Sequence, residues 1–194
     1  MFPEAHCELN YGSVFQLAVA VTLSAQTTDV SVNKVTPELF VRYPSAETLA
    51  EAEQEEVEKL IRSIGLYRAK ARNIIAMAQE VRDRFNGEMP DTMAQLTTLP
   101  GIGRKSANVI LSEGFHQPAL AVDTHVHRVS WRLGLSKRED SPEDVERKLK
   151  RKFPRDCWSR LHHLLIFFGR YRCNSRKPQC EGCPFKEFCR YTAD

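Results

Sequence analysis

Cys173, Cys180, Cys183 and Cys189 form a C-x6-C-x2-C-x5-C array at the end of a chain that has six cysteines in all. Four thiolates in so short a loop can hold either a zinc ion or a cubane iron–sulfur cluster. Structural zinc sites usually pair two tight C-x2-C knuckles, and only Cys180–Cys183 is tight here. The wider spacings let one chain wrap a bulkier object, which favours the cluster. Four unliganded thiols would need apolar cover that this polar loop lacks. Cys7 and Cys157 stand apart and read as packing residues or free thiols. Between the first two ligands sit Arg176 and Lys177, either solvated or presented to a phosphate backbone.

A second constellation begins at Leu99-Pro100-Gly101-Ile102-Gly103, followed by Arg104 and Lys105. Glycines here let backbone approach a phosphate, and the helix start behind them offers amide N–H groups and a positive dipole end. The spacing is not that of a nucleotide-hydrolase phosphate loop, which separates its glycines by four residues and follows a strand. Between two helices it reads as a helix–hairpin–helix that grips DNA phosphates without reading sequence. Lys105 falls in the first helical turn, where it can bind phosphate as a cation. As a neutral amine it can instead attack a sugar carbon and form a Schiff base. Eighteen residues later comes Asp123, at an expected helix start. It is either an N-cap or a carboxylate that stabilises a cationic sugar. His125 and His127 are two apart, so they face different sides of a helix and make a poor metal pair. Packing or phosphate contact suits His125 better.

The elements that must carry these residues read as helices throughout. Helical periodicity and start signals place them at 13–25, 29–43, 45–50, 53–64, 67–85, 105–115, 123–133, 141–153 and 156–171, with a short turn near 92–96. Gly65 is placed to cap the helix at 53–64, and Asn86-Gly87 to stop the next. Ser141-Pro142 is a strong start signal. No stretch alternates as a half-buried strand does, so the fold class is all-α. No apolar run approaches a membrane span, and no signal peptide is visible; an intracellular, cytoplasmic protein is expected. In that setting clustered cysteines argue for metal rather than disulfides. The net charge is +3, but residues 98–194 carry 19 Lys and Arg against 11 Asp and Glu, leaving 9 and 14 in residues 1–97. A basic half fits a polyanion such as nucleic acid, although charges also segregate on solvated surfaces.

Taken together these residues resemble the endonuclease III family of the helix–hairpin–helix DNA glycosylase superfamily. The resemblance runs through Leu23–Asp29, Gly65-Leu66-Tyr67 with Lys70-Ala71, Leu99–Asn108, Val122–Val129 and the four cysteines at the family's own spacing. It implies a six-helix barrel over residues 8–117. It also implies a second helical domain, residues 1–7 and 118–194, that carries a 4Fe–4S cluster, with DNA bent in the cleft between the two. On this resemblance Lys105 is the Schiff-base nucleophile and Asp123 its essential carboxylate. Gln26 fills the gap left by a flipped nucleotide, and Leu66 wedges into the opposite strand. Gly101, Gly103, Arg104, His125, Arg176 and Lys177 are expected on DNA. The implied substrate is double-stranded DNA with oxidised pyrimidines or abasic sites, cut by β-elimination. A monomer, bacterial and associated with the nucleoid, is expected. The helix that family members carry before the barrel is missing, which is expected to leave the cluster domain one helix short.

Two other functions share some of these features. An adenine-removing glycosylase of the same superfamily has the cluster and the aspartate but normally lacks the lysine and adds a C-terminal domain. A non-catalytic DNA-binding iron–sulfur module has no need for Lys105 and Asp123 together.

Overall fold

In the computed structural model residues 1–191 are described, and all regular structure among them is helical. The chain divides into two compact units, Glu8–Gln117 and Met1–Cys7 with Pro118–Asp194. Among the described residues no helix is long and apolar enough to cross a membrane.

In the first unit, short polar side chains start the helices. Ser13 accepts the Gln16 N–H at the head of α1 (Val14–Leu23), and Thr28 accepts that of Ser31 at α2 (Asp29–Arg42). Ser45 and Thr48 close a reciprocal capping box on α3 (Ala46–Ala50). Helices α4 (Gln54–Leu60), α5 (Tyr67–Phe85), α6 (Met93–Leu96) and α7 (Arg104–Val109) follow. Helix α1 is apolar on nearly every side and is therefore buried: Leu17, Ala18, Val19, Ala20 and Leu23 have no exposed surface. Helices α2, α5 and α7 pack around it, and α3 lies along α5.

Two boundaries differ from the sequence expectation. Helix α4 stops at Leu60, and Gly65 is not its cap. Ile61 and Ile64 still face the core, but from a turn in which the Ile64 N–H meets the Ile61 carbonyl, so the apolar stripe outlasts the helix. The helix expected over 105–115 changes at Ile110 into a wider π-helical turn, Ile110–Gly114, closed by the Phe115 N–H on the Ile110 carbonyl. Gly114 is required there, since a Cβ would lie 2.8 Å from Val14 of α1.

The second unit is built on α8 (Thr124–Arg132), α9 (Pro142–Lys152) and α10 (Trp158–Tyr171). Leu120, Val126, Val129, Val145, Leu149, Leu165 and Phe168 form its core. Helix α9 begins as its sequence indicates, with Ser141 accepting the Asp144 N–H and Pro142 next. Helices α8 and α10 meet closely at Gly169, where a Cβ would lie 2.9 Å from that of His125. The first residues belong to this unit: Arg160 donates to the carbonyls of Ala5 at 3.2 Å and Pro3 at 2.6 Å.

Candidate functional sites

The glycine hairpin lies in the first unit. Leu99 to Ile102 form a turn closed by the Ile102 N–H on the Leu99 carbonyl at 3.1 Å, with Pro100 second and Gly101 third. Gly101 has φ +80°, as the third residue of a type II turn requires. A Cβ on it would also come within 2.8 Å of the Thr22 methyl and 3.3 Å of Asn73. Gly103 is different. It has an ordinary extended backbone and open space where its Cβ would be. Its neighbourhood leaves room for something to approach the backbone. No side chain caps α7, and exposed Arg104 and Lys105 occupy its first turn.

Gln26 at φ +54° and Leu66 at φ +60° are two of four exposed non-glycine residues of the same unit, with Asn86 and His116, whose left-handed backbones favour glycine. Each such residue costs on the order of 1 kcal/mol and is tolerated where surroundings over-determine it, often at a ligand. Leu66 opens α5 and is 61% exposed, unusual for a large apolar side chain. Nearby, Lys70 is only 4% exposed, and burial lowers its pKa below that of an ordinary lysine. Its Nζ donates to the Thr27 hydroxyl at 2.6 Å.

Asp123 and His125 lie in the second unit, so Lys105 and Asp123 belong to different units. Asp123 is the N-cap of α8, its carboxylate accepting the Val126 N–H at 2.8 Å. The side chain is half-buried and held by its own helix, as a positioned carboxylate must be. His125 is packed at the crossing of α8 and α10, with its Nδ1 3.2 Å from an Arg128 nitrogen. Burial chiefly lowers its pKa, with Arg128 and Arg170 acting the same way and Asp123 opposing them. His127 Nε2 lies 2.8 Å from the Asp140 carbonyl, and His162 Nδ1 2.9 Å from that of Ala121, contacts that serve packing.

The cysteine loop follows α10. Among the described residues no three His, Cys, Asp or Glu side chains come together as a single metal ion would need. Cys173 and Cys183 pack against the apolar core. Cys173 also faces cations: Arg132 donates to its sulfur at 3.2 Å, and Arg128 to its carbonyl at the same distance. A guanidinium donor beside that sulfur suits the negative charge a cysteine sulfur carries when it ligates iron or zinc. Arg176 and Lys177 are exposed on the segment between Cys173 and Cys180, where the Lys177 N–H is tied to Asn174.

Nothing in the sequence position of Arg132 marks it, yet it organises this loop. It is 3% exposed. Besides Cys173 it donates to the carbonyls of Asn174 at 2.9 Å and Ser175 at 3.3 Å. Its guanidinium lies 3.9 Å from the centre of the Tyr191 ring, and its own carbonyl accepts the Arg190 N–H. Both flanks of the loop are thus held by one side chain. In the sequence it resembles any cation in the last turn of a helix.

Comparison with known proteins agrees with this arrangement. Residues 19–155 match the family described as HhH-GPD superfamily base excision DNA repair protein. The chain is 50% identical over 190 residues to endonuclease III of Bacillus subtilis (strain 168), covering 98% of this chain and 87% of that one. It is 45% identical to the Escherichia coli (strain K12) enzyme over 189 residues, covering 97% and 89%. Among solved structures, a trapped endonuclease III–DNA covalent intermediate superposes with a TM-score of 0.95 at 51% identity, covering 98% of this chain and 89% of that one. A thermostable thymine-DNA glycosylase follows at a TM-score of 0.82 and 26% identity, covering 98% and 88%. The chain belongs to the endonuclease III family, within the HhH-GPD superfamily of base excision DNA repair proteins.

Proposed function

We propose that the protein is a bifunctional DNA glycosylase and abasic-site lyase that acts on oxidised pyrimidines in double-stranded DNA. The observation that carries this reading is the hairpin: a Pro-Gly turn, open space at Gly103, and Lys105 exposed in the uncapped first turn behind them. Amide N–H groups at that start suit a phosphate, and they would set a neighbouring sugar beside the lysine. The relative trapped as a covalent DNA intermediate supports a covalent route.

In this mechanism Lys105 Nζ attacks C1′ of a flipped nucleotide. The C1′–N bond breaks, and the base leaves with its bonding electron pair and takes up a proton. Asp123, held by its cap, stabilises the positive charge that develops on the sugar and helps move the amine's protons. The nitrogen lone pair then opens the sugar ring, breaking C1′–O4′ while O4′ takes up a proton, and the resulting imine acidifies C2′; loss of that proton expels the 3′ phosphate, and hydrolysis returns the free lysine. Gln26 fills the gap left by the flipped nucleotide, and Leu66 wedges into the opposite strand. Arg104, His125, Arg176 and Lys177 contact the DNA. Cys173, Cys180, Cys183 and Cys189 would hold a 4Fe–4S cluster, which when bound supplies a rigid core for the loop. Residues 8–117 form the six-helix barrel and the other unit the cluster domain. The protein works as a monomer in the bacterial cytoplasm, on the nucleoid.

The test is borohydride trapping on a duplex with one abasic site. A covalent adduct is expected with the native protein and none with Lys105→Ala. Asp123→Asn keeps a good N-cap and is expected to fold normally while trapping far more slowly. No adduct from native protein that holds its cluster and binds DNA would overturn the lyase assignment.

A further inference from the structure

Gln26 and Leu66 are forty residues apart in sequence, and both hold a backbone conformation that costs energy. Something must hold each of them, and one residue touches the segments of both. The Lys70 N–H closes on the Leu66 carbonyl at 3.0 Å, in the first turn of α5. Its ammonium donates to the Thr27 hydroxyl at 2.6 Å. That hydroxyl in turn donates to the Ala25 carbonyl at 3.4 Å, bridging the peptide units on either side of Gln26. The Thr27 N–H completes this turn on the Ser24 carbonyl at 3.1 Å.

Lys70 has no carboxylate partner among the described residues; the Thr27 hydroxyl is the side-chain hydrogen-bond partner of its ammonium. A lysine 96% removed from solvent without an anion is an expensive way to fill a core. A methionine would fill the same space at no such cost. The retained ammonium therefore calls for a role that packing does not supply.

We infer that Lys70 is a positioning residue that joins the Gln26 turn to the start of α5, so that Gln26 and Leu66 enter the duplex together as one rigid pair. This rests on the reading of Gln26 and Leu66 as the residues that fill and wedge the helix. The link works in one direction only through Thr27, because the amide bond to Leu66 belongs to the helix and survives any side chain. Removing the hydroxyl and removing the ammonium should therefore have the same consequence.

The experiment compares the native holoprotein with Lys70→Met, Thr27→Val and the double variant. Dissociation constants are measured for a duplex with a tetrahydrofuran abasic analogue and for the undamaged duplex, with 2-aminopurine opposite the analogue reporting unstacking. Each single variant is expected to lose about ten-fold in the ratio of the two affinities, the scale of one hydrogen bond to a charged group. Undamaged binding should hold, the 2-aminopurine signal should fall, and the double variant should lose no more than either single one. Thr27→Val leaves the buried ammonium without its acceptor, whereas Lys70→Met removes the charge and keeps the volume, so each variant reports where the other folds poorly.

An unchanged affinity ratio in Thr27→Val, or additive losses in the double variant, would overturn the link. Gln26→Ala and Leu66→Ala separate the two failures. If they lower the ratio while Thr27→Val does not, only the positioning role of Lys70 falls. If they leave the ratio intact, the wedge reading falls and takes the positioning role with it.

Discussion

Replacing Arg132 by methionine keeps most of the side-chain volume and removes the guanidinium that fastens the cysteine loop. Three hydrogen bonds are lost, to the Cys173 sulfur and to the carbonyls of Asn174 and Ser175, together with the stacking on Tyr191. At roughly 1 kcal/mol for each bond and about 1 kcal/mol for the stacking, the gross loss is about 4 kcal/mol. The Arg132 Nε is buried without a partner among the described residues, and removing it returns about 1 kcal/mol. The net cost is therefore about 3 kcal/mol, roughly a hundred-fold in the equilibrium between closed and open loop. Urea titration of the cluster-loaded protein, followed by visible absorbance and by far-ultraviolet circular dichroism, measures it. Absorbance should be lost at lower urea than in the native protein and ahead of the helical signal, because the fastening is local to the loop. Arg132→Lys keeps the charge without the fork and should fall between the two. A shift below about 1 kcal/mol in Arg132→Met would refute the view that this residue holds the loop closed.

Two further perturbations test the hairpin and the α8–α10 crossing. Gly101→Ala forces a Cβ into a left-handed turn and to within 2.8 Å of Thr22, so a loss of about 2 kcal/mol or more is expected in the denaturation midpoint. Gly103→Ala meets nothing and should be neutral for stability; equal losses at both glycines would contradict the geometry. Burial holds the His125 pKa below its usual 6.5, so an unfolded chain takes up that proton first as the solution is acidified. Stability carried by neutral His125 is thus complete above 6.5 and falls on acidification through that value toward the lower folded pKa. The loss from about pH 7 to pH 5 should be smaller in His125→Gln, and identical slopes would dismiss the effect.

Much of this molecule is legible in its sequence because capping side chains and glycine turns act over three or four residues. Ser13, Thr28 and Ser141 each mark a helix start, and Asn86 with Gly87 a helix end, all of which appear in the structure. Asp123 is an N-cap, a role its local sequence already allowed. Periodicity overran where burial did not need a helix, as at Ile61 and Ile64. The left-handed backbones of Gln26 and Leu66 carry no local mark, since neither residue type favours that conformation. Lys70 and Arg132 were hidden for a different reason. A cation on an amphipathic helix normally faces water, and only the chain that returns from far along the sequence decides that these two do not.

The division of the chain also sets an order of events during synthesis. Residues 8–117 are contiguous, so a ribosome makes every part of that unit before it begins the segment from residue 118 onward. The other unit begins with the first seven residues and then waits for residue 118 and beyond. The carbonyls of Pro3 and Ala5 find their donor only once Arg160 has emerged, and Phe2 meets Phe167 later still. At roughly 5–20 residues per second this interval lasts many seconds. Toward its end the nascent chain carries a completed unit between two unmatched segments of the other, and the cysteines that close that unit are made after its helices α8, α9 and α10.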